Sequence, residues 1–221
     1  MIVADKKPIE EIIEALGDSS KILIAGCNEC VTVCEAGGRK EVGILASALR
    51  IHFGNQGREV TIDEVTLERQ CDREYLEEIR NTADQYDVIL SLACGAGVQF
   101  MAENYPSMPV QPGVNTCFIG VSEDRGVWTE RCQACGQCVL GQTGGICPIS
   151  RCSKRMLNGP CGGSSKGKCE INSDLDCGWQ LIIELLTSLD CLDEFEKVVP
   201  IKDWSTERSG GPRKVVKEEA S

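Results

Sequence analysis

Aromatic residues are scarce: three Trp, three Tyr and four Phe in 221 residues, about 5%. Histidine is nearly absent. The only one, His52, sits in ALRIHFGN near the expected end of a helix, where a solvated role is the simplest reading. No stretch approaches the roughly 20 consecutive apolar residues that a membrane-spanning helix needs. The opening MIVADKKPIEEIIEALG has neither an apolar core nor a small-residue cleavage site, so a secretory leader is not expected. No GxGxxG follows a strand-like run, and no nucleophile–base pair stands out. Ala93-Cys-Gly-Ala-Gly97 has the glycines of a phosphate loop, but its cysteine argues for a metal or cluster loop. These absences speak against a self-contained catalyst and a nucleotide enzyme. The content of Val, Ile and Leu speaks against disorder.

What is abundant is cysteine. There are fifteen, an odd number, many of them in close C-x2-C and C-x3-C steps. In a small secreted protein that would read as a disulfide framework. In a chain of this length with no export signal it points to metal or iron–sulfur binding in a reducing compartment. Charge is the second uneven feature. The chain carries −11, yet from Arg131 to Cys169 it has six cations (Arg131, Arg151, Lys154, Arg155, Lys166, Lys168) and no carboxylate, leaving −17 on the remainder.

Apolar spacing predicts helices over 7–16, 39–53, 73–83 and 98–105, and strands over 21–26, 59–62, 87–93 and 117–121. Strands alternating with helices imply parallel pairing through crossovers, so residues 1–125 are expected to form a parallel-sheet α/β domain. Residues 126–177 hold eight cysteines and almost no periodic apolar pattern, and are expected to form a loop-rich cluster- or metal-binding region that depends on inorganic staples. Residues 178–204 follow as a C-terminal helix that packs on a domain or a partner, and 205–221 as a loose tail.

GCNECVTVCEAGG places Cys27, Cys30 and Cys34 directly after the first predicted strand, at the edge where parallel sheets bind ligands. Three thiolates can hold three corners of a cluster. The fourth is expected to be Cys94, which ends the strand DVILSLAC; Cys117 is the alternative, placed at the opposite edge if its strand is parallel. The second region opens with Cys132, Cys135 and Cys138 in C-x2-C-x2-C, the step of ferredoxin-type loops, and Cys147 is followed by Pro148 as in such motifs. Cys152, Cys161, Cys169 and Cys177 bring the number of thiols to eight, enough for two four-thiolate sites. Their partition is open, and zinc competes with iron–sulfur at one of them. The cations would offset the negative charge of a cluster. Nucleic-acid binding is disfavoured because the chain is acidic overall and the basic stretch has no aromatic for stacking. Cys71 and Cys191, in helical contexts, are expected to be structural.

The runs Thr143–Pro148, Arg151-Cys152, Lys154, Leu157–Ser164 (LNGPCGGS) and Gly167–Glu170, with GCNECVTVCEAGG and SLACGAGVQ, resemble the cysteine-rich domain found with methylenetetrahydrofolate reductase in anaerobic bacteria and archaea, the MetV-type small-subunit family. The resemblance covers about residues 10–200. It implies a cytoplasmic subunit carrying two or three 4Fe–4S clusters, with zinc as an option at one four-cysteine site. It implies pairing with a flavin-containing MetF-type catalytic subunit and with electron-donating or bifurcating subunits, in the methyl branch of the Wood–Ljungdahl pathway. No membrane insertion is implied.

Overall fold

A computed structural model describes residues 1–217. The chain is α/β and divides into two compact units, Met1–Thr129 and Glu130–Ser221.

The first unit is built on a four-stranded parallel sheet in the order β3-β2-β4-β5. Its strands are β2 (Lys21–Cys27), β3 (Thr61–Leu67), β4 (Val88–Ser91) and β5 (Val110–Pro112). Along β2 side chains alternate between the two faces. Ile22 and Ile24 join one apolar core with helices α1 (Ile9–Leu16) and α3 (Arg39–Asn55). Leu23 and Ala25 join a second core with Leu76 of α4 (Arg73–Leu76) and Met101 of α5 (Gly95–Asn104). Both faces are covered, which is why these strands read as continuous apolar runs. The helix expected over 73–83 is instead α4 followed by 3-10 turns at Glu77–Ile79 and Ala83–Gln85.

A second sheet, in the order β1-β6-β7, was not foreseen. β1 (Ile2–Lys6) pairs antiparallel with β6 (Val114–Asp124), with a register irregularity between Val3 and Ala4. β6 then turns through Arg125-Gly126 into β7 (Val127–Cys132). Cys117 therefore lies on a strand outside the parallel sheet, exposed, with its thiol against Asp5 at 3.4 Å. The expectation that it begins a parallel strand is corrected.

The second unit has little regular structure: α6 (Pro148–Arg151) and α7 (Gly178–Ser188), with 3-10 turns before α6 and after α7. Its apolar core is small. Trp179, Ile182 and Leu186 on one side of α7 pack with Ile146, Met156, Cys152, Cys177, Cys191 and Phe195. The Trp179 indole N–H donates to the Met156 carbonyl at 2.8 Å. The helix expected within 178–204 forms over Gly178–Ser188 and organises its own unit. Among the described residues no helix is long and apolar enough to cross a membrane.

Candidate metal centres

In the parallel sheet the order around β2 reverses. The crossover after β2 runs through α3 on one face, and the chain after β4 enters α5 on the other. Such a switch point opens a crevice beyond the carboxyl ends of the two central strands, and ligands bind there in open α/β sheets. Cys27 is the last residue of β2 and Cys30 the first of α2 (Cys30–Val33). Cys94 is the residue from which α5 starts.

Backbone packing holds these loops together. The Cys27 N–H donates to the Gly37 carbonyl at 2.9 Å, closing the cysteine loop on itself. Gly37 also passes against the end of β4. A Cβ there would stand 1.8 Å from the Leu92 carbonyl oxygen, so only glycine fits.

A third loop reaches the same edge. β3 ends at Leu67, paired in register with Cys27, and the Asn28 N–H donates to the Leu67 carbonyl at 2.9 Å. Gln70 follows, fully buried. Its side-chain amide donates to the Ala25 and Gly26 carbonyls, both at 2.8 Å, and its amide oxygen accepts from the Ser91 hydroxyl at 2.6 Å. One glutamine thereby clips the loop after β3 across the ends of β2 and β4. The next residue is Cys71. Burial pushes the Cys27 thiol up, with the Cys94 and Cys30 charges adding to the rise and the Gln70 and Glu29 amides opposing it. Burial also raises the Cys71 thiol, and the charges of Cys94 and Cys27 raise it further. The Gln70 clip thus sets Cys71, expected from the sequence to be structural, beside the strand ends that lead to Cys27 and Cys94.

Cys34 has different surroundings. It is buried, and its sulfur faces Ala4 of β1: the Ala4 N–H donates to it at 3.4 Å, and the thiol faces the Ala4 and Val31 carbonyls at 3.6 and 3.7 Å. Ala4 stands at the register irregularity of β1, so the thiol satisfies peptide groups released from the strand ladder. Burial pushes the Cys34 thiol up.

In the second unit Cys152, Cys161, Cys169 and Cys177 line one cavity with Lys154, Glu170 and Trp179. It measures about 20 Å³, the space of one water-sized sphere. Gly178 carries the start of α7 onto the end of α6, where a Cβ would meet the Arg151 carbonyl oxygen at 2.7 Å; this brings Cys152 and Cys177 together. Cys169 is held below the ordinary thiol range, chiefly by the Ile171 amide and then by the Ser153 hydroxyl. A turn whose amides favour thiolate is suited to a metal ligand.

Cys132 ends β7, and Cys135 and Cys138 lie on the loop that follows, in which Ala134 and Gly136 have positive φ, 51° and 88°. The Ala134 N–H donates to the Cys132 sulfur at 3.3 Å. Cys147 precedes α6, whose Ser150 hydroxyl donates to the Arg131 carbonyl at 2.8 Å, tying this helix to the start of the loop. Cys138 and Pro148 share the wall of a cavity of about 300 Å³. The residues expected to form a loose tail grip the same loop. The Thr206 hydroxyl donates to the Cys135 carbonyl at 3.0 Å, and Arg213 Nη1 to the Ala134 carbonyl at 2.5 Å.

All fifteen cysteines are free thiols. Among the described residues no three His, Cys, Asp or Glu side chains converge closely enough to grip an ion. A thiol swings through a single χ1 rotation, so the backbone determines which thiols share a rim rather than how tightly they close. The basic stretch is partly neutralised from outside its own bounds: Lys154 pairs with Glu170, and Lys168 with Asp176 at 2.7 Å.

Residues 111–205 match the family model described as methylene-tetrahydrofolate reductase C terminal, and this part of the chain carries that domain. No curated protein and no solved structure matches the chain.

Proposed function

We propose that this chain is the iron–sulfur electron-transfer subunit of a methylenetetrahydrofolate reductase complex, acting in the methyl branch of the Wood–Ljungdahl pathway. Its partner would be a flavin-containing MetF-type subunit that holds the folate site. A ferredoxin, a bifurcating module or a reduced-nicotinamide module would supply the electrons. The observation that carries this reading is the gathering of cysteines from separate loops at the ligand edge of the parallel sheet, in a chain with the reductase-related domain over 111–205.

A 4Fe–4S cluster, when bound, supplies one-electron transfer at a potential tuned by its surroundings. Cys27, Cys30 and Cys94 are three of the thiols we assign to the first such site. Cys132, Cys135, Cys138 and Cys147 form the second. Cys27 and Cys94 pack against the apolar core, which keeps water from one side of their sulfurs. Amides such as Ala134 N–H bond to sulfur and favour its anionic form.

We assign zinc to Cys152, Cys161, Cys169 and Cys177. Four thiolates at Zn–S distances of about 2.3 Å enclose a single ion, and the cavity between these residues has room for little more. The role of this site is to hold the fold of the second unit.

Anaerobic purification followed by metal and acid-labile sulfide analysis tests the reading. The expected protein is brown and contains about eight iron atoms, two four-iron clusters, with one zinc. A colourless protein holding zinc alone would replace electron transfer with a structural role in which the chain stabilises or tethers the catalytic subunit.

A further inference from the structure

We propose that Cys71, rather than Cys34, completes the four-thiolate site at the ligand edge of the first unit, with Cys27, Cys30 and Cys94. The proposal rests on the iron–sulfur reading above and specifies its donor set.

Three observations carry it. The first is topological. In a parallel sheet all strands end at the same edge. Cys27 is the last residue of β2, and Cys71 and Cys94 follow β3 and β4 within four residues of the strand ends; the three strands are adjacent. Cys71 is the cysteine of the loop after β3, and without it that loop contributes no thiol.

The second is the clip. Gln70 is fixed to Ala25, Gly26 and Ser91 by its side chain, and its Cβ lies so close to α5 that a Cβ on Gly97 would stand 3.0 Å from it. The residue after Gln70 is therefore held between the first turn of α5 and the end of β2. A buried glutamine satisfied on both ends is a costly element to keep unless it positions something. Its neighbour Cys71 is exposed, with a thiol available to a ligand.

The third is the place of Cys34. It is buried in the apolar core with its sulfur against β1, where the Ala4 N–H donates to it at 3.4 Å and the Ala4 and Val31 carbonyls stand at 3.6 and 3.7 Å. That sulfur is engaged by a strand of the other sheet, whereas Cys71 is exposed beside the clipped loop. Cluster assembly would release the Cys71 proton and form an iron–sulfur bond in its place.

The test uses the full chain, purified without oxygen, as wild type, Cys71→Ser, Cys34→Ala and Cys27→Ser. Iron and sulfide content and the electron paramagnetic resonance spectrum of the dithionite-reduced protein are read for each. Expected is the loss of about four iron atoms, one cluster, together with one set of resonances in Cys71→Ser and Cys27→Ser. Cys34→Ala should keep both, with a lower melting temperature. Alkylation followed by mass spectrometry adds a readout without mutation: in the iron-loaded wild type Cys71 should resist iodoacetamide, and it should label once iron is stripped with an oxidant and chelator. Wild-type iron and resonances retained in Cys71→Ser, or free labelling of Cys71 in the iron-loaded chain, overturn the assignment while leaving the electron-transfer reading intact. A wild-type chain without iron overturns both.

Discussion

Asp87 shows how one carboxylate sets the geometry on which the first site depends. It stands just before β4, and one of its oxygens accepts three hydrogen bonds, from the Ser20 N–H at 2.8 Å, the Ser20 hydroxyl at 2.9 Å and the Lys21 N–H at 2.9 Å. These bonds tie the start of β2 to the start of β4 and so align the two strands whose far ends form the crevice. The Ser20 amide, then the Lys21 amide, hold the Asp87 carboxyl below its ordinary value of 3.8. A carboxyl depressed in the folded state contributes stability above its unfolded pKa and loses it as pH falls through the folded one. Asp87→Asn should therefore melt below wild type at pH 7, and the difference should shrink steadily as the pH is taken below the usual aspartate range of about 3.9. Thermal melts across pH 3–7 check this. A gap independent of pH would mean that the ionised carboxylate is not what the fold uses.

Elements were legible in the sequence where one periodicity ran unbroken. β2 and β4, continuous apolar runs buried on both faces, lie close to their expected limits, and α3 and α7 show the 3.6-residue repeat. The pieces that escaped notice are short or lie at an edge. β1 has only two buried residues and β5 only three residues in all, while the half-exposed β6–β7 hairpin, with its weak alternation, was anticipated only over 117–121. One misplacement mattered for the site. The strand expected over 59–62 runs from Thr61 to Leu67. Ending it at Ile62 left Cys71 nine residues from any strand, in the prelude to a helix. Ending it at Leu67 brings Cys71 four residues from a strand end, where the argument made for Cys94 applies equally. Val65 and Leu67, one residue out of phase with Val60 and Ile62 and so on the opposite face of the sheet, were the available signal. Cys34 lies where its spacing puts it, at the end of α2, and what nothing local reveals is that β1, thirty residues upstream, contacts its sulfur. In the second unit α7 invites a direct test. Ile182 is fully buried at the centre of a core with only two other buried members, Trp179 and Leu186. Ile182→Ala should cost about 2–5 kcal/mol, read by urea unfolding of the second unit through Trp179 fluorescence. A cost under about 1 kcal/mol, the range of tolerated swaps, would show that this unit does not draw its stability from α7.

At the scale of the whole molecule the two units solve the folding problem by different means. The first buries apolar side chains on both faces of a four-stranded sheet, the ordinary route to stability. The second has one small apolar cluster, many glycines in left-handed conformations and no sheet of its own, so area burial alone offsets little of the entropy of ordering its loops. On the proposed reading the difference comes from bonds to metal, and metal affinity is then folding free energy. Stripping metal from the native chain with a strong chelator should accordingly unfold the second unit and spare the first. Trp179, buried in the second core, should shift its emission to the red, while Trp128, packed against the first core, should not. Trypsin should then cut at Arg151, Lys154, Arg155, Lys166 and Lys168 and leave a resistant fragment containing residues 1–129. Re-addition of zinc before digestion should restore protection, provided the thiols have been kept reduced. Uniform digestion of the whole chain, or a second unit that stays resistant without metal, would show that the cysteines of 132–177 are not what holds it.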